Sequence, residues 1–412
     1  MKRWLIIATS LVAVGWCLYA LAGHPVSDAL ALRFGGSITK LGEGKISSPS
    51  DFVYRRLFEA MFLFTLLYAW VVAHALIVQT AKRFCRLGRF AWIAQALLVF
   101  ACFNLWLAQA KQTALFWGVM WQGLQTSNLT RFHLKRILME ESSVPMRAAL
   151  MGSSQTRAQI NEELLNSLLG TKLRTIDLNF PGSKAYDDFL LQPLVARTRP
   201  DYIIIYVSEA DFYSGSASEV IPNFLTWTDL PDLVARGGTT FIPPERVASG
   251  LLGSVLPLFH LRQVFAQRVL GPEIAQLKQS QHNAAITNDA APVAPHRPTF
   301  VRNEESRFQQ RAMEDFVIRC QRSREKVIVL AGQVNPLFSR TMESGIREEM
   351  LSTLRALAAK YSNVTLVENL PAQMPENYDD MTHVNVAAQE HFTRFLAAWL
   401  DQRLAASPEI PR

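Results

Sequence analysis

Three residues far apart in the chain have the types needed for nucleophilic acyl chemistry. Asp380 and His383 form an Asp-x-x-His pair near the end of the 412-residue sequence, and Ser154 closes a Gly-Ser-Ser turn over two hundred positions earlier. A histidine can accept the proton of a serine hydroxyl while a carboxylate holds its other ring nitrogen. The sequence therefore predicts a catalytic triad of Ser154, His383 and Asp380.

Each piece has a plainer interpretation when it stands alone. A Gly-Ser-Ser turn is more often a helix cap, and an isolated Asp-x-x-His is more often a capping carboxylate beside a surface histidine. The two motifs follow the first and the last predicted strands, and in an open parallel sheet ligands bind beyond the carboxyl ends of the strands. This joint placement favours catalysis.

Two backbone N–H groups are expected to form an oxyanion hole. Ser154 precedes a helical segment at 155–169, and helix N-termini favour developing negative charge. Gly182 follows the second predicted strand, where a glycine lets the backbone approach a substrate oxygen closely. We therefore predict donors at Ser154 and Gly182.

Short β-rich runs that alternate with helical segments must position these residues. Five such runs favour a parallel sheet with helices on both faces, and hence a flavodoxin-like three-layer α/β/α domain over about 147–405. The runs are 148–151, 173–178, 202–207, 327–330 and 364–367. The long connection at about 212–325 predicts an insertion, either a lid or partner-binding element or a tolerated surface loop.

The first 111 residues contain three uncharged apolar runs, each with about the 20 residues that cross a bilayer as a helix. The runs are 4–23, 60–81 and 90–110. The basic segment at 82–89 predicts a cytoplasmic turn, so everything after the third run is expected to lie outside the cytoplasm of a bacterial inner membrane. The alternative for the first run is a cleaved signal peptide ending near Ala22. Residues 112–146 are too polar to cross and predict an interfacial or linker helix.

Charge and cysteine content narrow the function classes. Part of the net charge of +7 comes from the predicted cytoplasmic turn. The sequence has no basic stripe interleaved with stacking aromatic residues, which argues against nucleic-acid binding. Of four cysteines only Cys320 belongs to the exported part, so no disulfide is expected within that domain. We predict neither a cofactor nor a metal ion.

The exported domain resembles the SGNH (GDSL-type) hydrolase superfamily. The resemblance rests on Ser154 as the third residue of a Gly-Asp-Ser-like block and on the Asp380/His383 pair as the Asp-x-x-His block. It implies that Gly182 is the second-block glycine. The third block, Gly-x-Asn-Asp in the family, corresponds best to Ser-Glu-Ala-Asp at 208–211, so Ala210 stands where the family has an oxyanion-hole asparagine. Asn179 and Asn335 are possible substitute donors.

The Gly-Ser-Ser variant, the membrane segments and the large insertion are similar to DltD-like and polysaccharide-acetylation members of that superfamily. The resemblance implies an O-acyltransferase or esterase that acts on a cell-envelope polysaccharide or related polymer, with a membrane-bound O-acyltransferase as partner. Because the loss of one oxyanion donor typically costs roughly a hundredfold in rate, a catalytically weak or inactive assembly factor is the alternative.

Overall fold

The computed structural model describes residues 91–120, 128–140, 146–213, 220–262, 264 and 300–406. The chain divides into two compact units. One comprises residues 1–121 and 256–262, and the other comprises 122–255 and 263–412. All the predicted site residues belong to the second unit.

The second unit contains a parallel sheet, which confirms the predicted α/β class. In the described residues it has five strands, in the order β2-β1-β3-β4-β5. This is the strand order of flavodoxin-like doubly wound sheets. The strands are β1 (Arg147–Met151), β2 (Arg174–Asp177), β3 (Tyr202–Val207), β4 (Lys326–Ala331) and β5 (Val364–Val367).

The central strand explains why these residues form a sheet that is covered on both faces. Every residue of β3 is buried, and alternate side chains enter two different core clusters. Ile203, Ile205 and Val207 enter one cluster, whereas Ile204 and Tyr206 enter the other. Successive side chains of a strand point to opposite faces, so a continuous run of branched apolar residues suits a strand buried between two helical layers.

The helices supply the apolar side chains that cover these two faces. Those of the second unit are α3 (Asn128–Glu140), α4 (Ser154–Gln159), α5 (Glu162–Leu169), α6 (Ala185–Ala196), α7 (Glu209–Tyr213), α8 (Val220–Phe224), α9 (Leu230–Ala235), α10 (Pro244–Val255), α12 (Glu304–Arg322), α13 (Ile346–Lys360) and α14 (Val386–Ala406). Helices α6, α12 and α13 contribute to the first core cluster, and α5 and α14 contribute to the second.

Short 3-10 helices lie at Gly238–Thr240, Pro336–Thr341 and Pro375–Asn377. The last two lie in the connections that follow β4 and β5. These connections also contain Asn335 and the Asp380/His383 pair.

The first unit contains α1 (Ala91–Ala110), α2 (Ala114–Met120) and α11 (Pro257–His260). No helix in the described ranges combines the length and the apolar character that a membrane crossing requires. The described part of the third predicted span, residues 91–110, is helical, as expected. Within this unit the Asn104 carboxamide accepts the N–H of Leu258 at 3.0 Å. The predicted spans 4–23 and 60–81 lie outside the described residues.

The structure gives more detail at two predicted boundaries, those of the interfacial helix and of the insertion. The segment expected to be one interfacial helix contains two helices, and the second of these, α3, packs Phe132 and Met139 into the first core cluster. The predicted insertion includes α12, yet this helix contributes Phe308, Met313 and Phe316 to the same cluster. It is thus a regular crossover helix of the sheet, and the insertion ends before residue 304.

Candidate active site

The proposed nucleophile lies at a tight turn between β1 and α4. Gly152 adopts φ +106°, and a Cβ built there would lie 2.6 Å from Thr156 Oγ1 and 3.2 Å from Ile205 Cγ1. Only glycine fits this conformation and this space. Ser153 is the buried N-cap of α4 and accepts the N–H of Gln155 at 3.3 Å. Ser154 is therefore the first residue of the helix.

A continuous hydrogen-bonded chain joins the three predicted triad residues. Ser154 Oγ lies 2.8 Å from His383 Nε2. On the other side of the ring, His383 Nδ1 lies 2.7 Å from Asp380 Oδ2. An ionised carboxylate can only accept, so Nδ1 carries the proton and Nε2 is free to accept the serine hydroxyl proton. This is the arrangement that a serine nucleophile with a histidine base requires.

The Asp380 carboxylate is held ionised. Burial raises its pKa, but hydrogen bonds from the His383 side chain and from two backbone N–H groups outweigh burial and lower the pKa to about 2. Those N–H groups belong to Thr382 and His383, and each donates to Oδ1 at 2.7 Å. One carboxylate oxygen therefore orients the imidazole, and the other stabilises the turn between the two residues.

A small hairpin carries the acid–base pair. Tyr378 and Val384 form an isolated antiparallel bridge on either side of the Asp380/His383 turn. The Asp379 N–H donates to the His383 carbonyl at 2.9 Å, which narrows the same hairpin. Asp379 is exposed, whereas Asp380 is only partly exposed, and His391 is exposed on α14. Of these four side chains, only Asp380 and His383 hydrogen-bond to each other, and His383 is the one that contacts Ser154.

The loop after β2 lies beside the nucleophile turn. The Phe180 N–H donates to the Gly152 carbonyl at 3.0 Å, which brings the following residues, including Gly182, to this edge of the sheet. Gly182 has φ +74° and open space around its Cβ position, so the backbone conformation is what requires glycine there. Within the described part of the chain, the N–H groups of Ser154 and Gly182 have no protein acceptor. Both are available as oxyanion donors.

The two asparagines considered as substitute donors are placed differently. The Asn335 carboxamide donates to the Asp380 carbonyl at 3.2 Å and accepts the Leu337 N–H at 3.0 Å. Its backbone N–H donates to the Met381 carbonyl at 2.9 Å. Asn335 thus supports the acid–base hairpin. Both polar side-chain atoms of Asn179 are buried and lack a hydrogen-bond partner among the described residues. Asn179 is only 4% exposed, so its amide presents almost no surface to a substrate in this conformation.

The segment that corresponds to the third block packs into the protein. Ala210 is only 8% exposed, and its carbonyl accepts Lys184 Nζ at 3.0 Å. Ser208 caps the short helix α7, because its hydroxyl accepts the Ala210 N–H at 3.2 Å, and Asp211 Oδ2 accepts the Ser208 N–H at 2.7 Å. The Ser208 hydroxyl also donates to Gln155 Oε1 at 2.7 Å, and Gln155 directly follows the nucleophile. This segment therefore stabilises the nucleophile turn through its contact with Gln155.

Asp211 lies near the charge of Lys184 and hydrogen-bonds to Ser153 in that turn. Burial raises its pKa to about 6, although hydrogen bonds from Ser208 and Ser153 and the charge of Lys184 act in the opposite direction. Burial lowers the pKa of Lys184, whereas the nearby charges of Asp211, Glu305 and Asp187 raise it. Sequence reasoning did not assign this cluster. The Ser-x-x-Asp spacing at 208–211 is nevertheless a helix-cap signal that indicates the Ser208–Asp211 contact.

Glu209 connects the third-block segment to the loop after β4. Its buried carboxylate accepts the Val334 N–H at 3.0 Å and pairs with Arg347 at 2.6 Å. Arg347 also donates to the Gly332 carbonyl at 3.0 Å. Because Asn335 follows Val334 directly, the ion pair stabilises the loop that contacts the acid–base hairpin.

Comparisons with known proteins provide no family for the chain. None of the protein-family models matches the sequence, and no curated protein matches it significantly. The functional argument therefore depends on the site itself.

Proposed function

We propose that this protein is a membrane-anchored, extracytoplasmic serine acyl-transfer enzyme of SGNH type, either an O-acyltransferase or an esterase. The observation that carries the proposal is the chain of contacts from Asp380 through His383 to Ser154. It lies where the carboxyl ends of β1 and β5 open into loops, and ligand sites of open parallel sheets occupy this edge.

In the proposed reaction, Ser154 Oγ attacks the carbonyl carbon of an acyl donor. His383 Nε2 takes the hydroxyl proton, and the resulting imidazolium is stabilised by the Asp380 carboxylate. The N–H groups of Ser154 and Gly182 would stabilise the negative oxygen of the tetrahedral intermediate. Collapse of the intermediate breaks the bond to the leaving group, which takes the proton from His383. A second attack, by a sugar hydroxyl or by water, releases the acyl group and restores Ser154.

The proposed acceptor is a cell-envelope polysaccharide or a related polymer, with a membrane-bound O-acyltransferase as partner. Support comes from the resemblance of the motifs and from the apolar runs at 4–23 and 60–81 with the basic segment at 82–89. An extracytoplasmic domain also requires residues 90–110 to cross the membrane. Reporter fusions after Arg86 and after Met146 test this directly. A cytoplasmic signal from the second fusion would contradict the proposed location.

The catalytic proposal is tested by looking for the acyl-enzyme. The full-length protein is purified from cells that acylate their envelope polymer, and peptides containing Ser154 are analysed by mass spectrometry. We expect a mass shift on Ser154 in the wild type and in His391→Ala, and none in Ser154→Ala. Normal polymer acylation by a well-expressed Ser154→Ala protein would contradict the enzyme proposal.

The burial of Ala210 favours one alternative. Because the third-block segment supports the turn and contributes no asparagine donor, the fold can also serve as a catalytically inactive assembly or polymer-binding factor for the same partner. The two proposals differ in their response to Ser154→Ala, which abolishes function only in the enzyme.

A further inference from the structure

We infer that Gln159 and Gln373 are positioning residues that set the distance between the nucleophile and its base. This inference rests on the proposed function. The two buried side chains form a reciprocal amide pair. Gln159 Nε2 donates to Gln373 Oε1 at 3.1 Å, and Gln373 Nε2 donates to Gln159 Oε1 at 2.6 Å.

Each glutamine is part of one half of the candidate site. Gln159 is the last residue of α4, the six-residue helix that begins with Ser154. Gln373 contacts the hairpin that carries the base, because Tyr378 donates its hydroxyl to Gln373 Oε1 at 2.7 Å. Tyr378 is also one side of the bridge that closes this hairpin. A short series of hydrogen bonds therefore connects the helix that carries the nucleophile to the hairpin that carries Asp380 and His383.

The pair is fixed from the side of the sheet as well. Gln159 Nε2 donates to the hydroxyl of Tyr206 at 3.1 Å. That hydroxyl also accepts the Gln333 N–H at 3.0 Å, and the Gln333 carboxamide donates to the Gln373 carbonyl at 3.1 Å. Gln159, Gln373, Tyr206 and Tyr378 are all buried. Buried networks with satisfied members are rigid, so the pair has a single arrangement.

A positioning role differs from a purely stabilising role in a measurable way. Replacing one glutamine by methionine leaves the other amide buried without its partner, which destabilises the fold. Replacing both by methionine removes both amides at nearly constant volume, which costs much less. If the pair only stabilises the fold, stability and reactivity recover together in the double variant. If it positions the base, stability recovers and reactivity does not.

The experiment measures the reaction of Ser154 with a fluorophosphonate probe in membranes that contain the full chain. In this reaction the serine oxygen forms a bond to phosphorus, fluoride leaves, and His383 accepts the serine proton. The second-order labelling rate per folded molecule is determined from pH 5 to 9, and thermal stability is followed in parallel. The variants are Gln159→Met, Gln373→Met and the double variant. The control is Gln389→Met, because the partly exposed Gln389 amide links α14 to the Arg157 carbonyl in α4 and does not belong to the Gln159–Gln373 pair.

We expect labelling to fall roughly tenfold or more in both single variants and to remain slow in the double variant, since a shift of about 1 Å can cost about a hundredfold. The control should label at the wild-type rate. Recovery of labelling together with stability in the double variant would overturn the positioning role while the serine nucleophile stands. Failure of the wild type to label at Ser154 would instead overturn the proposed function, and the positioning role with it.

Discussion

Ser154 and His383 hydrogen-bond to each other, but different kinds of structure hold them. The nucleophile turn is fixed by the backbone, through the positive φ of Gly152, the crowding around its Cβ position and the cap of a six-residue helix. The acid–base hairpin lies in a longer loop and is fixed by side-chain contacts from Asn335, Tyr378 and Gln373. Steric constraint at Gly152 restricts the first half directly, whereas the second half depends mainly on hydrogen bonds from its neighbours.

The largest effect is expected where the two halves meet. Ser154→Ala and His383→Ala should each lower the rate of acyl transfer at least about a thousandfold, because either change removes the activated nucleophile. The double variant should be no slower than either single variant, since the two residues act as a unit. Initial rates of transfer by membranes of equal protein content measure this. Additive losses would show that the two residues act independently.

The steric character of the nucleophile turn predicts the second effect. Gly152→Ala should lower the free energy of unfolding by about 3 kcal/mol or more, because a strained φ, worth about 1–2 kcal/mol, is added to overpacking against Thr156 and Ile205. Gly237→Ala is the matched control, since Gly237 has φ +72° and open space around its Cβ position. The free energy of unfolding of Gly237→Ala should fall by only about 1–2 kcal/mol. Denaturant unfolding measures both, and equal losses would mean that crowding at Gly152 contributes nothing.

The dependence of the hairpin on its neighbours predicts a smaller effect. Asn335→Ala removes the amide that donates to the Asp380 carbonyl, so the transfer rate should fall roughly tenfold through misplacement of the base. Asn363→Ala is the control, because the Asn363 amide donates to the Val317 and Glu325 carbonyls, away from the hairpin. A normal rate in Asn335→Ala would show that the hairpin keeps its position without this contact.

The last comparison concerns pH, and the two halves should respond with opposite signs. Because the folded-state pKa of Asp380 is lowered to about 2, its contribution to stability is present above its ordinary pKa of 3.8 and is lost as the pH falls toward 2. Because the folded-state pKa of Asp211 is raised to about 6, folding is favoured at pH 4 and becomes less favourable as the pH rises to about 6.

These opposite slopes are separated by substitution. Asp380→Asn should flatten the dependence of the unfolding free energy on pH between 2 and 4, and Asp211→Asn should flatten it between 4 and 6. Chemical denaturation at half-unit pH intervals measures both ranges. If both substitutions changed the slope of the unfolding free energy against pH in the same direction, the expected difference between the two halves would be contradicted.

Patterns that repeat locally were readable from the sequence. The five strands were predicted to within about one residue, because runs such as residues 202–207 are continuous and apolar. The Gly-Ser-Ser turn and the Asp-x-x-His spacing pointed to the three residues that the structure brings together. The same local signals gave the helical character of residues 91–110.

Contacts between residues that are distant in the chain and belong to no motif could not be predicted from the sequence. Gln159 and Gln373 are 214 positions apart, and an amide pair leaves no periodic signal in the sequence. The contact of Lys184 with the Ala210 carbonyl is of the same kind. The crossover helix Glu304–Arg322 was included in the predicted insertion because the whole connection at about 212–325 is long, and its role emerges only when Phe308 and Phe316 are seen in the core.

The position of β5 has a consequence for the making of the protein. This strand is at the end of the sheet and is the last to be synthesised, and the hairpin with His383 follows it. A growing chain thus carries the serine turn through most of its synthesis without a base to activate it. In the proposed mechanism the hydroxyl gains its reactivity only when the final strand and hairpin dock, so a chain truncated before the hairpin would be inactive.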